Sequence, residues 1–198
     1  MELWDIYDKD RNKTGRTMKR GEPMKDGDYH LVVHICIFSS DGKMLIQQRQ
    51  PFKDGWSNLW DITVGGSSVA GDTSIDAAVR EVREEVGIQL SPAELRKTMT
   101  IDFGHGFDDF YTVTKDVDIS SLKLQYEEVQ QVKWADADEI KSMIDEGIFI
   151  PYNKSFIDVL FHFKDHVGTR TAADTTVPAA KPLSLIHISE PTRPISIS

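Results

Sequence analysis

Along most of the chain apolar residues recur with a period of two, and that period changes once, sharply, near the middle. His30 to Phe38 is apolar and β-branched, which predicts a buried strand. The turn residues Ser39-Ser-Asp-Gly42 follow, and Met44–Arg49 reads as the antiparallel partner of that strand. Upstream, the run beginning at Trp4 and the run Asn12–Lys19 flank a polar turn, predicting an N-terminal hairpin over about residues 1–20. Gly21–Asp28 and Pro51–Asn58 read as loops, Leu59–Val64 as a short strand, and Gly65-Gly66 as a break.

Beyond the glycines the period becomes helical. Ile75, Ala78, Val79, Val82 and Val86 fall on one stripe, Thr73-x-x-Asp76 has the form of a capping box, and Gly87 is a stop signal. Further extended runs are expected near Met99–Asp102, Asp109–Val117 and Val129–Trp134. Ala135–Glu146 and Tyr152–Asp165 read as helices, the second with Phe156, Val159, Leu160 and Phe163 set to cover a sheet. Hairpins with helices at separated positions indicate an α/β or α+β sandwich, formed by a single domain over residues 1–167.

Composition narrows the classes of function. A net charge of −9 argues against binding nucleic acid polymers or anionic membranes, but a divalent cation can still bridge acids to phosphates. No apolar run reaches membrane-span length, and the N-terminus lacks the pattern of a secretion signal. The single cysteine, Cys36, rules out an internal disulfide, so the cytoplasm is the expected location. From about residue 168 the composition shifts to Thr, Ala, Pro and Ser, an expected disordered tail. Within it Leu183–Arg193 resembles a translated transposon-end sequencing adapter; residues 183–198 are therefore set aside as artefactual, and the native C-terminus as lost.

The predicted helix carries the chemistry. Glu81, Glu84 and Glu85 stand at i, i+3 and i+4, within one arc of the helix. Like charges at that spacing repel by a few tenths of a kcal/mol per pair, roughly. A hard cation among the oxygens reverses the sign, and magnesium favours a few carboxylates with water and phosphate. Arg80, one turn before Glu84, is placed to orient it. With Gly66, Val82, Gly87 and Ile88 these residues resemble the Nudix box, G-x5-E-x7-R-E-U-x-E-E-x-G-U, departing from it at Asp72, where the box has glutamate.

The resemblance spans about residues 1–165 and implies a Nudix-type α/β/α sandwich with a mixed sheet and the box as loop-helix-loop. It further implies hydrolysis of a phosphoanhydride bond in a small diphosphate compound. Glu81, Glu84 and Glu85 would hold magnesium, with manganese as the alternative ion; Glu81, Glu84 and Arg80 would be the catalytic set. A further carboxylate, from the box or from Glu127 or Glu128, would assist the attacking water. Arg49, Lys53 and Gly66 are candidates for binding the substrate, and a second copy of the chain is left open as a partner.

Other groups admit two readings. His30 and His34 share one side of a strand and could bind a metal or simply pack; Cys36 is expected to be buried and unreactive. Phe103–Phe110 is either an aromatic wall for a ligand or a turn with core phenylalanines. The N-terminal hairpin, His30 and the Gln47–Lys53 segment also resemble isopentenyl-diphosphate isomerase, a relative on the same fold. That enzyme needs a cysteine after the tryptophan, where this chain has glycine, and its box is degenerate. A non-catalytic, ligand-sensing Nudix domain is the third reading, disfavoured by the nearly complete set of box acids.

Overall fold

The computed structural model describes residues 2–166 and Gly168. The remainder of the expected tail, including residues 183–198, lies outside the described residues. Strands β1 (Leu3–Tyr7) and β2 (Lys13–Lys19) form the antiparallel N-terminal hairpin. A mixed seven-stranded sheet contains β3 (His30–Phe38), β4 (Met44–Arg49), β5 (Trp60–Asp61), β6 (Val64–Ser67), β7 (Arg96–Phe103), β8 (Gly106–Thr114) and β9 (Val129–Ala135). β3 and β8 run parallel, and every other pairing in the sheet is antiparallel.

Strand alternation sends successive residues of β3 to opposite faces. Val33, Ile35 and Ile37 pack with Ala77, Ala78 and Val82 of helix α1 (Ser74–Glu85). Cys36 and Phe38 pack on the other face with Ile140 of α2 (Ala137–Asp145) and Ile157 and Leu160 of α3 (Lys154–Asp165). The expected α/β/α sandwich is therefore the observed architecture. In α3 the buried positions are Ile157 and Leu160, whereas Val159, expected on the covered face, is exposed. No helix among the described residues is long and apolar enough to cross a membrane.

Two expectations need correction. β3 and β4 join through the Ser39–Lys43 turn but pair only at Phe38 and Met44. Beyond that contact they diverge, because β6 takes the free edge of β3 while β4 ladders with β5 and β9. Thr63 spans the gap near its apex: its hydroxyl accepts from the Ile37 amide at 2.9 Å and donates to the Leu45 carbonyl. The sheet thus has two arms, β6-β3-β8-β7 and β5-β4-β9, joined at one end.

Gly65 and Gly66 are the second correction. They do not break the chain; they lie in β6, opposite His34 and Val33. Leu59–Val64, read as one strand, is divided between β5 and the start of β6 at Ile62-Thr63.

Candidate active site

Helix α1 starts where the capping box predicts, with Thr73 and Asp76 each satisfying the other's backbone amide. It ends at Glu85, and just beyond it Gly87, with φ of 74°, takes a left-handed conformation that glycine adopts without strain. Between these signals the apolar stripe fixes the rotation of the helix, and that rotation presents Glu81, Glu84 and Glu85 to a cavity of about 620 Å³. Arg49, Lys53 and Gly66 line the same cavity, so the sequence-predicted site residues converge there.

The three acids differ in environment. Glu85 is 4% exposed and accepts from Gln47 Nε2 at 3.0 Å; burial, and then the neighbouring charge of Glu81, holds its carboxyl well above the usual glutamate range. Glu81 is also raised, mainly by burial and against the pull of Arg80. Glu84 sits at the mouth with much of its carboxyl in water.

Arg80 is the hub of the site. It binds Glu81 at 2.8 Å, Asp72 at 3.1 Å, Glu84 at 3.3 Å and the Ser67 carbonyl at 3.1 Å. Asp72, the one departure from the box, is thus still long enough to anchor the arginine. As placed, the carboxylates turn toward Arg80 and Gln47. Among the described residues no three His, Cys, Asp or Glu side chains are gathered closely enough to hold an ion.

The adjacent glycines open both faces of β6. A Cβ on Gly66 would lie 2.2 Å from Glu81 Cδ, and one on Gly65 would lie 3.0 Å from His34 Nδ1. Gly66 therefore makes room for the acid behind it. Across the cavity, Lys53 is ion-paired with Glu128, which lines the cavity, whereas the neighbouring Glu127 is exposed and does not. Arg49 donates to the Gly55 carbonyl at 3.3 Å, and its buried Nε has no partner.

The histidines project from one face of β3 but do not meet. His30 stacks on Trp4 at 4.3 Å; His34 stacks on Phe110 at 4.7 Å and lies 3.3 Å from Asp108. Cys36 is fully buried, and burial pushes its thiol far up, as an unreactive cysteine requires. The Phe103–Phe110 segment is the β7–β8 turn and the start of β8, from which only Asp108 and Phe110 reach the cavity.

Asp61, Asp108, Tyr152, Trp56 and the hairpin residues Glu2 and Arg20 were not legible as site residues, yet all line the cavity. They come from six separate stretches of chain, with no shared spacing to betray them. Only the odd conformation of the loop around Trp56 (φ 51°) and Asn58 (φ 61°) marks it as unusual, and backbone angles are not written in the sequence.

Comparison with known proteins agrees with this geometry. The family model described as the NUDIX domain matches residues 28–156. An uncharacterized Nudix hydrolase of Listeria monocytogenes is 44% identical over 165 residues, covering 83% of this chain and 96% of its own. The crystal structure of DR0079 from Deinococcus radiodurans superposes with a TM-score of 0.65 at 21% identity, covering 83% of this chain and all of the other. Isopentenyl-diphosphate Delta-isomerase of Escherichia coli is more distant, 26% identical over 137 residues, or 67% of this chain and 75% of that one. The chain belongs to the Nudix hydrolase family.

Proposed function

We propose that the protein hydrolyses a phosphoanhydride bond in a small diphosphate compound, using magnesium or manganese held by Glu81, Glu84 and Glu85. The observation that carries this reading is the opposition, across one cavity, of the box acids and the cations Arg49 and Lys53. A diphosphate would be met from both sides: the cations take phosphate oxygens, and an ion held by the acids would offset the remaining negative charge.

By type the donors suit a hard divalent ion, which Glu81, Glu84 and Glu85 would hold after turning from Arg80 and Gln47 toward a common point. Glu85 is a buried carboxylate with one amide partner, beside other acids that raise its pKa, and the Oε1 of that same Gln47 is buried without a partner. A cation relieves this crowding. When bound, it supplies positive charge against the phosphate and makes water a competent nucleophile. Arg80, bonded to both Glu81 and Glu84, keeps the two carboxylates next to each other at the cavity. Glu128, released from Lys53 as the lysine turns to phosphate, accepts a proton from the attacking water. The isomerase chemistry is disfavoured because Gly65 stands where a thiol is needed and Cys36 is sealed in the core.

Glu84→Gln tests the assignment. The side chain is half in water, so the fold survives, while turnover on a diphosphate panel with magnesium falls by about a hundredfold or more. Phosphate or mononucleotide release at the parental rate overturns the role of Glu84. Conversion of isopentenyl diphosphate to its isomer without phosphate release overturns the hydrolytic reading.

A further inference from the structure

The family match begins at residue 28, yet the N-terminal hairpin ahead of it is bonded to the box itself. Val69–Asp72 is a turn closed by the Asp72 amide on the Val69 carbonyl at 3.1 Å, with Gly71 at φ 97°. That turn leads into α1, and the hairpin holds its last three residues in order. The Ala70 amide donates to the Leu3 carbonyl at 2.7 Å, and the Gly71 amide to Asp5 Oδ2 at 2.9 Å. Lys13 Nζ bridges that same Asp5 oxygen at 2.6 Å and the Asp72 carbonyl at 3.1 Å. None of Val69–Asp72 is buried, so the hairpin supplies the partners that place the turn. The hairpin is itself fixed elsewhere: Trp4 stacks on His30, Tyr7 and Tyr29 exchange main-chain bonds at 2.8 and 3.0 Å, and Arg11 binds the buried Asp109.

We propose that the hairpin is a clamp on the box, with Asp5 and Lys13 as positioning residues that set the backbone at Gly71 and Asp72 so that the short Asp72 side chain reaches Arg80. The inference rests on the hydrolase reading above and adds how the site's arginine is held. Aspartate is shorter than the box glutamate by one C–C bond of about 1.5 Å. Asp72 Oδ2 nonetheless accepts from Arg80 Nε at 3.1 Å, and a backbone drift of about 0.5 Å would take that bond out of range. Two partners of Arg80, Asp72 and the Ser67 carbonyl, lie ahead of the helix, while Glu81 and Glu84 are acids on it. The first pair keeps the guanidinium in place when the acids turn to an ion. Released from Asp72, it would follow the carboxylates and oppose the ion as a like charge. A glutamate at 72 would span the gap without the clamp, so the hairpin offsets the departure in the box.

The full chain is compared with its Asp5→Ala, Asp72→Glu and doubly substituted forms. The Arg80 Nε–H resonance, assigned by its absence in Arg80→Lys, reports the bond to residue 72 without metal or substrate. Calorimetry with magnesium chloride alone, and kcat and KM on a diphosphate the parental chain cleaves, are the further readouts. In Asp5→Ala the resonance should broaden by exchange with water, and magnesium should bind about threefold to tenfold more weakly. The kcat should fall in step, with KM within about twofold. Asp72→Glu should change little alone and, in the Asp5→Ala background, restore the resonance and bring affinity and kcat within about twofold of the parental values. A loss of packing alone would not be repaired this way. Thermal melts confirm folding, since a part-exposed ion pair contributes little; Lys13→Met, which spares the Asp5 bond to Gly71, gives the same reading should Asp5→Ala fail to fold. An Arg80 resonance unchanged by either substitution, or a loss in folded protein that Asp72→Glu does not restore, overturns the clamp. A parental chain that cleaves no diphosphate sinks the hydrolase reading alone, because the resonance still judges the clamp.

Discussion

A Cβ on Gly66 would stand 2.2 Å from the Glu81 carboxyl carbon, so alanine there must displace the strand or the acid. Gly66→Ala is expected to cost about 1–3 kcal/mol in urea unfolding and to lower turnover, since the displaced group belongs to the site. The acids also make a pH prediction. Burial raises Glu81 and Glu85 above the ordinary 4.5, so in metal-free protein their contribution to stability is whole below that pH and is lost as pH rises through the raised values. Acids held low by partners, such as Glu94 at about 2, have finished titrating before this window opens. Ion binding needs ionised carboxylates, so the gain in melting temperature on adding magnesium should grow from pH 5.5 to pH 8. Glu85→Gln should flatten that growth and raise the metal-free melting temperature at pH 8; an unchanged magnesium gain in this variant rules out Glu85 as a ligand. The box residues were readable at this scale because one helix carries them at fixed spacing. Asp61, Asp108 and Tyr152 were not, because two strands of the sheet and one loop bring them together across long separations.

The elements follow the hydropathy pattern wherever one face of each is buried. β3, β4 and α1 lie where period and caps place them. The pattern is silent on pairing, which is why the β3–β4 ladder was expected and a divergence was found: two buried strands joined by a tight turn look the same whether they zip or part. Pairing also decides how the N-terminal hairpin is held. Asp109, fully buried on β8, is bound by Arg11 of the hairpin turn, Lys97 at 2.7 Å, Thr100 at 2.6 Å and Ser74 at the start of α1. These partners hold its carboxyl below the usual range despite burial. Asp109→Ala leaves Arg11 and Lys97 unpaired but able to turn to water, so the loss should fall near the lower end of about 3–5 kcal/mol. Hydrogen exchange should accelerate across Leu3–Lys19 more than in β9; uniform acceleration would show that Asp109 serves the whole fold and does not latch the hairpin.

For the molecule as a whole, every described residue lining the cavity falls between Glu2 and Tyr152, and the family match ends at residue 156. A chain ended after Val167 is therefore expected to keep its melting temperature within about 2 °C and its turnover within about twofold, the size of change typical of substitutions that leave a site and core intact. A large drop in either would show that residues 168–198 serve the domain. The two arms of the sheet, meeting only at Phe38 and Met44, set the mechanics of the rest. Arg49 stands at the far end of one arm, and His34 and Gly66 stand on the other. A guest gripped by both works like a clasp on an open hinge, and its pull is felt at the pivot, where Thr63 ties Ile37 to Leu45. Occupancy should then tighten a hydrogen bond that no ligand touches.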